Sequence, residues 1–433
     1  MLFFSLAFSL QASATPFRGI LPRIMAVTDN PDLLNSNVQL ERNIKSLDAT
    51  CAKDVMLNLR PWADGSWKLE WGLTARRYAD SDFSRLRTWP ERYDYVQKQP
   101  AKEMLKFKDA TLRKDQIDKL SPAEKYDILV GDDDFTLTKA QWEESRKRYS
   151  HNDVAGWMGI CDGAAAASAL LPEPKHGVDV LSPSGEIIRF HVVDIKALAS
   201  LLWSTYNSVV PLCGTRCDSK TQVRDEHGVA TESSFFDVNP GAWHIAVLNF
   251  IAKKKQPFFM DRYAVEKVWN VPILGYKMRY INPRNGTIVK GLEDAIVPLS
   301  EMTGDRFRKY RASTAQWIVG IEMEVKFAFG LTNLRDKPIM AGIAQDSYKY
   351  DLEIDKDGVI VGGEWYTDIH PDFLWAMQPG YIPTSRGDWL IGVRAQWDGG
   401  KVPADWLGPA KVASQNNQPL EKIVRKLIEL SNH

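Results

Sequence analysis

Three residues of this chain have the types and settings that thiol chemistry needs: Cys161, His244 and Asp261. Cys161 stands in Trp157-Met158-Gly159-Ile160-Cys161-Asp162-Gly163, directly before Ala164-Ala165-Ala166-Ala167-Ser168. A glycine-bearing turn followed by small, helix-forming residues sets the sulfur at a helix N-terminus, where unpaired N–H groups and the helix dipole favour a thiolate. The competing role for the same residue is a buried, inert thiol. A nucleophilic cysteine further needs a base, and the base needs an acceptor that orients its far ring nitrogen.

The histidines divide by context. His433 is terminal, His151, His176 and His227 lie among loop residues, and His191 reads as a structural hairpin residue. His244 follows Asn239-Pro240-Gly241-Ala242-Trp243 and opens the apolar run Ile245 to Ile251, which reads as a strand. The return strand Gln256 to Asp261 ends in an acid. If the two strands pair about Ala252-Lys253, His244 and Asp261 fall opposite each other on one face. A turn centred on Lys254-Lys255 instead sets Asp261 nearer Leu248; Asn249, which points into the strand middle, is a fallback orienter. A cysteine on a helix with histidine and acid on a hairpin is the papain-type arrangement. Its oxyanion donors are the backbone N–H of Cys161 and an upstream side chain, Trp157 first and Asn152 second. Trp243 supports the site as an aromatic neighbour.

The elements that must position these residues define the fold class: α+β, a papain-like core with an antiparallel β C-terminal part. Residues 1–14 read as a signal peptide, an apolar run Leu2 to Leu10 followed by an Ala-x-Ala pattern ending at Ala14, which implies secretion. Residues 15–119 form an N-terminal region that either packs on the core or covers its cleft as a pro-segment. The core spans 120–300. It opens with a helix that Ser121 caps, with Pro122 at its first position and Glu124 completing a capping box. Two strands around Ser182-Pro183-Ser184-Gly185 make a hairpin, and Ile195 to Tyr206 a further helix. The mainly β part, 301–433, completes the core. Long alternating runs such as Trp317 to Phe327 predict antiparallel strands, Asp357-Gly358 a hairpin turn, and Leu420 to Leu430 an amphipathic terminal helix.

Composition narrows the partners. Lys+Arg and Asp+Glu are both 55, so no overall charge points to nucleic acid or an anionic membrane. No stretch is long and apolar enough to span a bilayer. With Cys161 set aside as nucleophile, Cys213 and Cys217 are close enough for a local disulfide and Cys51 is the remaining thiol; a Cys51 bridge to either competes. Asp132-Asp133-Asp134 are the weak metal candidates: a hard cation such as Ca2+ suits such a cluster, and a solvated loop or helix start is the plainer alternative. The chemistry itself requires no cofactor. Asn285-Gly286-Thr287 matches a glycan acceptor.

One segment carries a resemblance. Val268-Trp269-Asn270-Val271-Pro272-Ile273-Leu274-Gly275-Tyr276-Lys277 resembles the surface peptide of the oomycete transglutaminase elicitors, cell-wall proteins, with Trp269 and Pro272 as its most specific members. Gly156 to Gly163 looks like that family's nucleophile segment, and Gly362-Gly363-Glu364-Trp365 with His370 to Trp375 like its C-terminal signature. Val271 and Leu274 stand where polar or basic residues are expected. The resemblance implies a protein-glutamine γ-glutamyltransferase on a papain-like core, with Cys161 as nucleophile, His244 as base, Asp261 as orienter and Ca2+ as a candidate cofactor. Its partners would be proteins bearing glutamine and lysine, cell-wall proteins among them. Two readings compete: a secreted papain-type cysteine peptidase or amidase, and a non-catalytic cell-wall or elicitor interaction protein.

Overall fold

The structure is a computed structural model that describes residues 27–433, apart from 36–38, 66, 151–154, 205–209, 217–222, 224, 227–236, 264–266, 331–334, 368, 378–380, 382, 386–392 and 394. The leader at 1–14, Asn152, His151, His227 and Cys217 lie outside the described residues.

Helices and antiparallel strands are mixed throughout. The sheet has nine strands: β1 (Asp54–Met56), β4 (Cys213–Gly214), β5 (Phe258–Asp261), β6 (Asn270–Ile281), β7 (Ile296–Pro298), β8 (Trp317–Phe329), β9 (Gly342–Ile354), β10 (Ile360–Trp365) and β11 (Phe373–Trp375). Its main path runs β10-β9-β8-β6-β5-β11-β4, with β1 paired to β6 and β7 to β8. Strands β2 (Val178–Leu181) and β3 (Ile187–Phe190) form a separate hairpin around the Ser-Pro-Ser-Gly turn. The long alternating runs become β8 and β9, and Gly358, at φ +79°, closes the turn into β10 where a left-handed residue is required.

Six helices matter for the site: α1 (Pro122–Val130), α2 (Thr136–Ser150), α3 (Cys161–Leu170), α4 (Val192–Ser204), α5 (Pro240–Val247) and α6 (Glu421–Leu430). The Ser121–Glu124 capping box starts α1 as its sequence requires. Helix α3 lies close against α4 because its contact face is made of small residues. A Cβ on Gly163 would stand 2.0 Å from the Ser200 carbonyl oxygen and 2.6 Å from the Ser204 nitrogen. Only glycine permits that approach, and with it the position of Cys161 two residues earlier.

Alternation along the central strands separates two apolar cores. Phe259, Phe373 and Trp375 belong to the core that holds the alanines of α3 and the apolar faces of α4 and α6. Phe258, Met260, Val271, Ile273 and Leu374, their neighbours along the same strands, belong to the other core, with α5. Successive side chains on a strand point to opposite faces, so the two cores lie on the two sides of this part of the sheet. The sequence around His244 forms α5 rather than a strand: Asn239 Oδ1 accepts the N–H of Gly241 at 2.8 Å, and Pro240 fills the first helical position.

Lys68 and Leu69, from the N-terminal region, pair with the segment that leads into α3. Lys68 pairs with Gly159 as an antiparallel bridge, and the Leu69 N–H donates to the Met158 carbonyl at 2.9 Å.

Candidate active site

Cys161 is the first residue of α3. Ile160, at the N-cap, supplies no side-chain acceptor, so the helix start carries no side-chain cap at the thiol. The residue opens onto a cavity of about 1280 Å³ whose walls include Trp67, Trp157, Trp269 and Phe329, with Lys68 and Arg216 among its charged groups. Trp269 and Phe329 pack with ring centroids 5.8 Å apart.

The residue is partly exposed as a whole, but its sulfur is enclosed. It donates to the Val268 carbonyl at 3.8 Å, and Asn270 Nδ2 donates to it at 4.0 Å. Burial pushes the thiol up to about 12, with the carboxylates of Asp162 and Asp261 adding to the rise and Asn270 opposing it. The resting sulfur is therefore a neutral thiol.

Asp261 ends β5 opposite Asn270, the first residue of β6. By the strand alternation, both face the core that contains α3. The Asp261 carboxylate is fully buried: Oδ1 accepts the Trp269 N–H at 2.6 Å, while Oδ2 has no hydrogen-bond partner among the described residues. Burial pushes this carboxyl up to about 7, against the Trp269 N–H and with the charge of Asp372 adding to the rise. The Asp372 N–H in turn donates to the Asp261 carbonyl at 3.2 Å. Asn270 is held from behind, where Trp375 Nε1 donates to its Oδ1 at 2.7 Å. Trp375 is stacked on Phe259, centroids 4.1 Å apart.

The sequence profile of the transglutaminase elicitor family matches residues 36–387. The chain belongs to the transglutaminase elicitor family. Among solved structures it is similar to the GP42 transglutaminase from Phytophthora sojae, with 19% identity and a TM-score of 0.49 over 88% of this chain and 95% of that one. No curated protein sequence matches it.

Several expectations need correction in this elicitor-family chain. His244 is not at the thiol. It lies on α5, fully buried in the other core, with Nδ1 2.9 Å from the Tyr350 hydroxyl oxygen, and it does not line the cavity. Burial pushes its imidazole down to about 3, which keeps it neutral. Asn249, the fallback orienter, instead ties down the N-terminal segment: its Oδ1 accepts the Glu41 N–H and its Nδ2 donates to the Glu41 carbonyl, both at 2.9 Å. Trp243 packs edge-on to Tyr348 at 5.6 Å in that same core, away from Cys161. Trp157 does line the cavity. No histidine among the described residues lines it. His191 is structural, clamped with Nε2 2.6 Å from Asp118 Oδ1 and Nδ1 2.8 Å from Asp336 Oδ2.

The peptide from Val268 to Lys277 is not a surface loop. Most of it is β6, with Pro272 buried and Trp269 half-buried, and both line the cavity. Val271 and Leu274 are buried as well, which is why apolar residues suit positions where polar ones were expected. Cys51 and Cys213 are buried thiols, and Cys213 donates to Asp29 Oδ1 at 3.7 Å; the expected pairing with Cys217 falls outside the described residues.

The acidic cluster does not fit a Ca2+ site. Lys411 Nζ already sits 3.3 Å from Asp132 Oδ1 and 2.7 Å from Asp134 Oδ2. The other Asp132 oxygen accepts the Thr136 N–H at 2.9 Å at the start of α2, and Asp133 is exposed. No group of three or more His, Cys, Asp or Glu side chains among the described residues is arranged to hold a metal.

Asn270, Trp375 and Asp372 join the candidate site without being evident from the sequence. Each stands in a segment recognisable by its pattern, and nothing in that pattern marks it as a neighbour in the network around the thiol and the acid.

Proposed function

We propose that this protein is a protein-glutamine γ-glutamyltransferase acting through a Cys161 thioester on a papain-like core, secreted and acting on proteins of a cell wall or surface. The observation that carries the reading is the placement of Cys161 at the start of α3, where the residue lines a large cavity walled by tryptophans, in a chain of the transglutaminase elicitor family.

The chemistry runs in two halves. The Cys161 sulfur attacks the side-chain carbonyl carbon of a glutamine, the C–N bond breaks, and the nitrogen leaves as ammonia after taking a proton. The amine of a lysine then attacks the thioester carbonyl, loses a proton, and releases the sulfur as the isopeptide forms. Asp261, which does not itself line the cavity but whose charge acts on the Cys161 sulfur, is assigned the proton traffic: it takes the thiol proton and gives it to the departing nitrogen, then takes the proton of the attacking amine and returns it to the sulfur. A carboxyl held near 7 exists in both forms at neutral pH, which is what a group that alternately takes and gives a proton requires. The tryptophans of the cavity favour amine over water by excluding solvent from the thioester.

Incubation with a glutamine-bearing casein and a labelled primary amine tests the assignment. Label incorporation supports the transferase; cleavage of the casein without label indicates a cysteine peptidase.

The non-catalytic reading has one observation in its favour, the neutral Cys161 thiol with no histidine beside it among the described residues. The same assay decides it, because a purely interacting protein incorporates no label.

A further inference from the structure

The side chain of Asn270 is unusual in being oriented by a group of fixed polarity. A carboxamide can turn either its oxygen or its nitrogen toward a neighbour, and the choice follows the hydrogen bonds around it. Trp375 settles that choice. An indole N–H can only donate, so the Asn270 atom 2.7 Å from Trp375 Nε1 must be the acceptor, Oδ1. The nitrogen is thereby turned to the other side, toward Cys161 Sγ at 4.0 Å. Trp375 has little freedom of its own: it is buried, stacked on Phe259, and held in β11 beside β5.

We propose that Asn270 is the donor that stabilises negative charge on the Cys161 sulfur through its Nδ2–H, and that Trp375 is the positioning residue that keeps this donor turned to the thiol. The proposal rests on Cys161 being the reactive thiol but not on which substrate it meets. At rest the thiol hydrogen goes to the Val268 carbonyl. Once the proton leaves, that carbonyl can no longer accept from the sulfur and repels it, and the Asn270 Nδ2–H remains as a favourable contact beside the backbone N–H of the same residue, which the side-chain variants leave in place. The carboxylates of Asp162, on α3, and Asp261, on β5, act against the charge, which makes a donor at this place more consequential.

The test is the rate at which iodoacetamide alkylates Cys161 as a function of pH, read by mass spectrometry on the peptide that contains it. This reaction consumes thiolate and needs no glutamine, so it can fail or succeed independently of transglutaminase activity. Asn270→Leu keeps the approximate shape and removes the donor without adding a charge beside the sulfur; Asn270→Ala removes the side chain altogether. Trp375→Phe keeps the stacking and releases the carboxamide. The buried thiols of Cys51 and Cys213 report loss of fold in the same digest. If Asn270→Ala exposes them, the nearly isosteric Asn270→Leu carries the test. The expected result is that the alkylation profile moves up by about one pH unit or more in both Asn270 variants, roughly a tenfold lower rate below the midpoint, with Trp375→Phe shifted in the same direction by less. Unchanged profiles in the Asn270 variants overturn the proposal. A shift in those variants with none in Trp375→Phe overturns the role of Trp375.

Discussion

The backbone N–H of Trp269, just before β6, donates to Asp261 Oδ1, at the end of β5, at 2.6 Å. That bond ties the acid of the site to the segment by which the family is recognised, and it leaves Oδ2 buried without a hydrogen-bond partner among the described residues. The segment is thus a wall of the cavity that Cys161 lines as much as a signature.

Asp261→Asn removes the titrating group while keeping an acceptor for Trp269. Amine incorporation is expected to fall by about 10²- to 10⁴-fold, the usual contribution of a general acid or base. Its effect on stability has a definite sign. The folded carboxyl, near 7, lies above the unfolded value of about 3.9. Between these values the unfolded chain is ionised and the folded one still holds its proton, so wild-type stability falls as pH rises from about 4 to about 7. Thermal melts across that range should show the variant gaining on the wild type as pH rises. A constant difference contradicts the account.

His244→Asn tests the structural role given to His244. With its imidazole on the far side of the sheet, amine incorporation is expected to stay within about threefold of wild type at a temperature where the variant is folded, against a loss of about 10²-fold or more for a general base. The melting temperature falls, because a buried side chain and its bond to Tyr350 are altered. Here the folded value, near 3, lies below the unfolded one of about 6.5, so wild-type stability is lost as pH falls from about 6.5 toward 3. The variant lacks this group's share of the acid sensitivity, which pH-dependent melts can measure.

What the sequence made legible here, and what it concealed, follows from where apolar residues carry a pattern. The capping box at Ser121, the Asp357-Gly358 turn, the alternation of β8 and β9, and the helix start at Cys161 are all local signals, and each appears in the structure. α5 is buried on every side, so its residues carry no polar face to reveal a helical period, and the run Ile245 to Ile251 looks like a strand. The overlooked signal was Asn239-Pro240, an N-cap followed by a first-turn proline. Asp261 pairs not with the run after His244 but with Asn270, at the start of β6. That relationship depends on strand register, and a side-chain pairing across two short strands leaves no periodic trace.

Gly163→Val tests the packing that sets Cys161. The added Cβ meets the Ser200 carbonyl at 2.0 Å, and backbone cannot move aside as a side-chain tip can. Destabilisation of about 1–3 kcal/mol is expected from overpacking, seen as a lower denaturant midpoint. Amine incorporation should also fall in protein that remains folded, since α3 must shift to relieve the contact.

The central claim is that Cys161 carries the acyl group. Brief incubation with a glutamine peptide, acid quenching and mass spectrometry of the fragment containing Cys161 test it most directly. The account predicts a mass increase equal to the peptide minus ammonia on that fragment, released by added amine, and no adduct or amine incorporation in Cys161→Ala. Amine incorporation that persists undiminished in Cys161→Ala, or an acyl adduct found on a different residue, would contradict it.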